Sequence, residues 1–321
     1  MQVQVLGSSS GTPTKSRNVS GYAVFRDDQK PWYLIDCGEA TQHQILKTKL
    51  ALYHLEAVFI THKHGDHCYG LPGLIASAGL SGRTQTLRVV APSEVLEFVR
   101  AAMAMSEWTL PFNLELVDFE ELSGQTFSWV KVQHCPLQHR VPSQGFKFIE
   151  TQIPRKLDIE RLRAEQIASG PHYNLLQRGE DVSYNGVLLR ADDYTYFAWQ
   201  PRVLVICGDN ETPSCLDPVI AGVHLLVHEA TFLAADLQKV GTHTGHSDVQ
   251  RVSAYAQEHK LPALLLTHFS ARYAPGEGMK PLIFEAKAEY SGRLYLATDG
   301  MIVAVDKNTE VRVVQAGFSK E

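Results

Sequence analysis

The run Thr61-His62-Lys63-His64-Gly65-Asp66-His67 sets three imidazoles and a carboxylate almost side by side. Imidazole nitrogen and carboxylate oxygen are the natural ligands of Zn²⁺, Mn²⁺ or Fe²⁺. Histidines packed this closely would repel one another if protonated, so a bound cation is the chemistry that suits them. On a tight loop, His62 and His64 can aim at one position while Asp66 and His67 aim at a neighbouring one. Two sets of ligands imply two metals. Gly65 and Gly70 are read as the residues that let this loop turn sharply. One loop cannot complete two coordination shells. The further candidates are His139, Asp209 and His268, each placed where the chain leaves an apolar run.

Those placements say what the supporting elements must be. Val3–Leu6 leads into the Gly/Ser turn Gly7–Gly11. Trp32–Ile35 ends at Asp36, Ala57–Ile60 at His62, and Arg202–Ile206 at Asp209. Leu225–Val227 ends at His228 and Glu229, Ala263–Leu266 at His268, and Leu294–Ala297 at Asp299. Short apolar runs of this kind are buried strands. Helix-like stretches follow several of them, at Leu71–Leu80, Ser93–Met105, Ser247–His259 and Lys280–Tyr290, with Ser247 a candidate N-cap. Strands interleaved with helices predict an α/β layered fold with ligands gathered at the carboxyl ends of the strands.

The chain has 321 residues, 44% hydrophobic and 20% charged, with 30 Lys+Arg against 35 Asp+Glu and a formal charge of −5. That composition excludes disorder and allows an ample core. No apolar stretch approaches the roughly 18 residues of a membrane span. Met1–Ser10 has neither a basic nor an apolar leader region, so a cytoplasmic location is expected. Five cysteines without a C-x-x-C pair fit neither a disulfide framework nor a zinc ribbon. The compositional excess is in histidine, with 14. His43, His54, His134, His172, His224 and His259 lack a ligand-like setting and read as structural. The stretch Thr151–Arg178 is polar, with Arg155, Lys156, Arg161 and Arg163, and reads as an arm inserted between two strand-rich halves, spanning 150–180 of a single domain over 1–321.

The His-x-His-x-Asp-His loop resembles the signature of the metallo-β-lactamase superfamily. Further segments resemble the short-form ribonuclease Z family of tRNA 3′-processing endonucleases. They are Pro13-Thr14-Lys15-Ser16-Arg17-Asn18, Asp36-Cys37-Gly38-Glu39-Ala40-Thr41-Gln42, His64-Gly65-Asp66-His67-Cys68-Tyr69-Gly70-Leu71-Pro72-Gly73-Leu74, His139-Arg140-Val141-Pro142-Ser143, His228-Glu229-Ala230-Thr231 and His268-Phe269-Ser270-Ala271-Arg272-Tyr273. The resemblance runs from about Val3 to Tyr273. It implies a four-layer αβ/βα sandwich with an inserted substrate-binding arm. It also implies one metal on His62, His64 and His139, a second on Asp66, His67 and His268, and Asp209 bridging both. Zn²⁺ is the expected ion, with Mn²⁺ or another divalent ion as the alternative. Two residues depart from the family pattern: Ala40 stands where Gly is usual, and Asn210 where Thr is usual.

The implied reaction is hydroxide attack on phosphorus at a two-metal site, leaving a tRNA 3′-hydroxyl and a 5′-phosphorylated trailer. Asp66 belongs to its catalytic set. Glu229 would orient His246, and His246 would protonate the leaving oxygen. Asp36 could orient a ligand histidine from behind. Lys15 and Arg17 would meet the acceptor-stem end, and Arg155, Lys156, Arg161 and Arg163 the tRNA body. The partners implied are precursor tRNA and a second copy of the chain in a homodimer. Two rivals stand beside this reading: a superfamily hydrolase of a small molecule such as a cyclic nucleotide, thioester or lactam, and an RNA-binding protein with a dead site.

Overall fold

The computed structural model describes residues 1–122 and 124–318. Alternation within each strand decides which way it faces. The first sheet is built from β1 (Gln2–Gly7), β2 (Gly21–Phe25), β3 (Trp32–Ile35), β4 (Leu55–Phe59), β5 (Leu87–Val90) and β6 (Leu114–Val117). In these strands Val3, Val5, Tyr33, Ile35, Ala57 and Phe59 join one core, while Leu6, Trp32, Leu34 and Val58 join another. A period of two sends alternate side chains to opposite faces of a sheet. Both faces of this sheet are therefore covered. One core lies under the helices α1 (Thr41–Ile45), α2 (Gly65–Cys68), α3 (Leu71–Leu80) and α4 (Ser93–Met105). It contains Leu71, Leu74 and Ile75 of α3 and Val95, Leu96 and Val99 of α4.

The other core lies between two sheets. The second sheet begins with β7 (Val130–Leu137) and β8 (Ser143–Glu150). Tyr33 and Phe59 of the first sheet meet Phe146 and Phe148 of β8, together with Phe127 and Trp129, at ring-centroid distances of 5.2–6.2 Å. Offset and edge-on aromatic pairs of this kind add to the burial that holds two sheets together.

The chain then leaves the sandwich. It forms β9 (Arg155–Leu157), α5 (Ile159–Ala164), α6 (Pro171–Gln177), the hairpin β10 (Val182–Tyr184) and β11 (Val187–Leu189), then α7 (Ala191–Tyr194) and β12 (Thr195–Phe197). β12 pairs antiparallel with β9, and the amide of Ala198 donates to the carbonyl of Pro154 at 2.9 Å, so the excursion closes at its base. The arm thus runs from about 155 to 197, longer than the 150–180 read from sequence: Glu150 is still β8, and the hairpin after Arg178 belongs to the arm. It also has a core of its own, Leu162, Ile167, Leu176, Leu189, Ala191 and Tyr194, where the polar composition suggested almost none.

The second sheet resumes with β13 (Val203–Cys207), β14 (Leu225–Glu229), β15 (Ala263–Thr267) and β16 (Arg293–Leu296), a parallel set in the order β16-β15-β14-β13-β8-β7. Its helices are α8 (Ala234–Val240), α9 (Val249–Glu258) and α10 (Lys280–Glu289). Finally β17 (Ile302–Val305) and β18 (Val311–Gln315) return to the first sheet, in the order β18-β17-β1-β2-β3-β4-β5-β6. The result is the four-layer α/β sandwich expected. Strand and helix positions agree with the sequence reading to within a few residues. The N-cap of α9 is Asp248, whose carboxylate accepts from the Arg251 amide, and not Ser247. The Ser247 hydroxyl instead donates to the carbonyls of Asn210 (2.7 Å) and Glu211 (2.9 Å). No helix among the described residues is long and apolar enough to cross a membrane.

Candidate metal centre

The carboxyl ends of β3, β4, β13, β14 and β15 share one edge of the sandwich, and the turn between β7 and β8 joins them. Every ligand proposed from the sequence arrives there. One group is His62, His64, His139 and Asp209, a second is Asp66, His67 and His268, and a third, overlapping both, is Asp209, His246 and His268. Within each group the potential ligand atoms lie within 4.8 Å of one another. Asp209 stands between the first two: Oδ2 lies 3.5 Å from His62 Nε2 and 3.7 Å from His139 Nε2, while Oδ1 lies 3.4 Å from His67 Nε2 and 3.3 Å from His268 Nε2.

Backbone contacts explain the geometry of the first loop. The Asp36-Cys37-Gly38 turn packs directly on α2. The Cys37 amide donates to the His67 carbonyl (2.8 Å), and the Gly70 amide to the Cys37 carbonyl (2.9 Å). A Cβ on Gly70 would lie 2.2 Å from the Gly38 carbonyl oxygen, and one on Gly38 would lie 2.2 Å from that of Asp66. Gly70 is therefore needed for close approach, not for turning: its φ is −77°, open to any residue. Gly65 likewise has no positive φ. The strained residues are Asp36 (φ 57°) and His268 (φ 56°), both part of the site.

Each buried imidazole is held from behind at Nδ1. His67 Nδ1 meets Asp36 Oδ2 at 2.6 Å, and His139 Nδ1 meets the Gly245 carbonyl at 2.7 Å. His62 Nδ1 meets the Thr61 hydroxyl at 3.0 Å, and His268 Nδ1 the Thr231 hydroxyl at 3.0 Å. In the neutral ring, a carbonyl or carboxylate at Nδ1 takes the proton there and leaves Nε2 as a lone pair facing inward. Burial of His67 is outweighed by the carboxylates of Asp209, Asp66 and Asp36, which hold its pKa well above the ordinary imidazole range, and a cation at Nε2 would take the place of that second proton. His67 and His268 then point Nε2 at each other across 3.3 Å, and Asp209 Oδ1 is buried without a hydrogen-bond partner. Converging lone pairs around an orphaned carboxylate oxygen fit a divalent cation. Among the ligands, burial holds His62 well below its ordinary pKa. For Asp209, burial is outweighed by the surrounding imidazoles of His268, His67 and His62, and its carboxyl stays well below the usual carboxylate range.

Beside the ligands lies Glu229. Its Oε1 accepts from the amides of Asn210 (3.1 Å) and Ser247 (3.2 Å) and from His246 Nδ1 (3.0 Å). Its Oε2 accepts from the Thr231 amide (3.1 Å) and hydroxyl (2.6 Å). Burial disfavours a charged His246, but the Glu229 and Asp209 carboxylates prevail and push it up to about 9. With Nδ1 spent on Glu229, Nε2 is the His246 nitrogen left to carry and give a proton. Asn210, where Thr was the family pattern, ties the loop together. Its Oδ1 accepts from the Gln138 amide (3.1 Å), and its Nδ2 lies 3.0 Å from His228 Nε2. His228 Nδ1 in turn donates to the Glu229 carbonyl at 2.6 Å. The sequence assigns neither residue a contact: His228 lies within one of the family-like motifs, and Asn210 is only a departure from the family pattern after Asp209. The six histidines read as structural lie outside the metal groups.

The expected RNA contacts divide. Lys15, Lys156, Arg161 and Arg163 are exposed. Arg155 is half-buried, pairs with Asp192 at 2.6 Å and lies over the Phe197 ring. Arg161 pairs with Glu165 at 3.0 Å and lies over Tyr194. Arg17 turns inward and is 5% exposed. Its guanidinium donates to the Tyr273 carbonyl and lies 5.9 Å from the Phe269 ring centroid. Tyr273 and Phe269 follow the ligand His268, so Arg17 fastens the Pro13 loop to the site and does not present charge to solvent.

Solved structures of like shape define the class. The metallo-β-lactamase fold protein YhfI from Bacillus subtilis superposes with a TM-score of 0.65 at 19% identity, covering 94% of this chain and 98% of that one. The human short-form tRNase Z does so with a TM-score of 0.65 at 23% identity, covering 95% and 100%. The fold is that of the metallo-β-lactamase-fold proteins. A family model described as anti-Pycsar protein Apyc1 matches residues 1–168, which hold the first loop and His139 but neither Asp209 nor any later site residue. Ribonuclease Z from Pseudomonas putida is 46% identical over 303 residues, covering 93% of this chain and 95% of the relative. The chain belongs to the ribonuclease Z family.

Proposed function

We infer that the chain is a metal-dependent endoribonuclease that removes the 3′ trailer from precursor tRNA. The observation that carries this reading is a set of seven ligand candidates in two groups with Asp209 reaching toward both, and the His246–Glu229 pair beside them, in a chain 46% identical to a ribonuclease Z. His62, His64 and His139 would hold one divalent ion, Asp66, His67 and His268 the other, and Asp209 both, with Zn²⁺ the ion proposed. When bound, these ions would lower the pKa of a water for attack and neutralise charge on the phosphate. Asp66 is aimed by the Gly11 amide, which donates to its Oδ2 at 2.8 Å, and the His67 and His268 imidazoles outweigh its burial and hold its carboxyl well below the usual carboxylate range. His246 holds a proton at Nε2 and gives it to the leaving 3′-oxygen, while Glu229 fixes the ring through Nδ1. Asp36 orients His67 and keeps its Nε2 turned inward.

Lys15 on the Pro13 loop would meet the acceptor-stem end. Lys156, Arg161 and Arg163 on the arm would meet phosphates of the tRNA body, which position RNA without reading its sequence. A homodimer is the assembly proposed, and the exposed Leu46, Leu80 and Met105 at the ends of α1, α3 and α4 supply apolar surface for it. A cytoplasmic location completes the reading. The test of the activity is incubation with a 3′-extended precursor tRNA, with and without chelator, followed by mapping of both ends at the cut. A single cleavage after the acceptor stem, abolished by chelator, is the expected result.

A further inference from the structure

Each half of the sandwich treats its histidines in the same way. In the first half, buried Asp36 contacts His67 Nδ1 directly at 2.6 Å. It also accepts the Thr61 amide (2.8 Å) and hydroxyl (3.0 Å), and that hydroxyl lies 3.0 Å from His62 Nδ1. In the second half, buried Glu229 contacts His246 Nδ1 directly at 3.0 Å. It also accepts the Thr231 amide (3.1 Å) and hydroxyl (2.6 Å), and that hydroxyl lies 3.0 Å from His268 Nδ1. One carboxylate thus governs two imidazoles, one by contact and one through a threonine.

We propose that Thr61 and Thr231 are positioning residues of the metal centre, each fixing the tautomer of a histidine that its carboxylate does not touch. The argument is one of proton count. An ionised carboxylate only accepts, so the single hydroxyl proton of each threonine goes to it. The threonine oxygen then offers lone pairs alone and must accept from Nδ1–H of the imidazole. His62 and His268 are thereby locked with Nδ1 protonated and Nε2 free. Both Nε2 atoms face Asp209, at 3.5 Å and 3.3 Å. Thr61 and Thr231 are buried, at 0% and 1% exposure, so water cannot replace either hydroxyl. Valine has the same shape without the hydroxyl, and its imidazole could carry the proton on either nitrogen. Partners of this kind behind a metal ligand are worth 10- to 100-fold in metal affinity.

The inference rests on reading the cluster as a metal centre, and its test separates the two. Zn²⁺ affinity is measured by chelator competition on the full chain, for the wild type and for Thr61→Val, Thr231→Val, Thr61→Ser and Thr231→Ser. Histidine tautomers are read from long-range ¹H–¹⁵N correlations of the Zn²⁺-loaded protein. The Val variants should bind Zn²⁺ about 10- to 100-fold more weakly, and the Ser variants as the wild type does. Thr231→Val should disturb the Nδ1–H signal of His268 and spare that of His62, with the reverse for Thr61→Val. Val variants with wild-type affinity and unchanged signals would overturn the inference while leaving the metal centre standing. The wild-type spectrum decides it even if a Val variant does not fold: His62 or His268 joined to Zn²⁺ through Nδ1 contradicts the relay. A wild type that takes up no Zn²⁺ removes the metal centre and this inference with it.

Discussion

At the scale of single residues, proton placement distinguishes His246 from the other site histidines. His62, His67, His139 and His268 turn Nε2 inward and His64 turns Nδ1 inward, whereas His246 spends Nδ1 on Glu229 and keeps Nε2 for a proton. His246→Ala should lower kcat for precursor tRNA by about 10²- to 10⁴-fold, the usual worth of a general acid. Metal content, measured by mass spectrometry, should stay at the wild-type level; equal loss of metal and activity would make it a ligand. Ala40 is a second residue with a specific consequence. It sits at φ 59°, ψ 11° before α1, a left-handed conformation that disfavours a Cβ. Ala40→Gly should therefore raise stability by roughly 0.5–1 kcal/mol, after the extra chain entropy of glycine is set against the relief, and so raise the denaturation midpoint. That these His and Asp side chains would meet was legible in the sequence because they cluster and recur at strand ends. The inward turn of Arg17 was not. Nothing in Lys15-Ser16-Arg17 says that Phe269 and Tyr273, some 250 residues on, will close over one of the two charges.

At the scale of elements, the sheet edge and the arm divide the work. Parallel strands bring their carboxyl ends to one edge whatever their sequence, which is why runs ending in His or Asp converge there. The arm is different. Its polar composition made it legible as an insertion, but its extent was hidden, because Leu162, Ile167, Leu176 and Leu189 are too widely spaced to show a helical or strand period. Its closure through Pro154 and Ala198 allows clean removal. Replacing residues 155–197 by a short Gly/Ser linker should abolish cleavage of precursor tRNA and spare hydrolysis of a small phosphodiester such as bis-p-nitrophenyl phosphate. Undiminished tRNA cleavage by that variant would show that the arm does not carry the substrate. Removing charge alone is the milder form of the test. Lys156→Ala with Arg163→Ala should weaken binding and flatten the salt dependence of log Kd by about one unit of slope for each phosphate no longer neutralised.

At the scale of the whole molecule, the site occupies one end of the sandwich and a charged clasp the other. Glu150 at the far end of β8 pairs with Arg26, which follows β2, at 2.9 Å, and with Arg202 before β13. The clasp joins the two sheets through buried side chains, and a hydrophobic pattern cannot announce it. Glu150→Ala would leave the buried Arg202 guanidinium without a carboxylate, while Arg26 keeps its two-point pair with Asp28, and should cost about 3–5 kcal/mol of stability, read as a drop in Tm. Zn²⁺ affinity at 25 °C should be unchanged, since no ligand is near. The formal charge of −5 likewise misleads when taken alone. It counts Asp66 and Asp209 as bare charges in a site whose lone pairs call for cations, and it says nothing of where cations are exposed. Over 155–197 the arm carries six Lys/Arg against seven Asp/Glu, yet Lys156 and Arg163 face solvent. The central claim is that this cation-holding edge cleaves precursor tRNA. Its most direct test uses the purified chain, stripped of metal and then reloaded with Zn²⁺, on a 3′-extended precursor tRNA. The stripped protein should be inactive, and the reloaded protein should release one trailer with a 5′-phosphate and leave a tRNA 3′-hydroxyl. Cleavage that survives stripping, or a reloaded protein that leaves the precursor intact, would contradict the account.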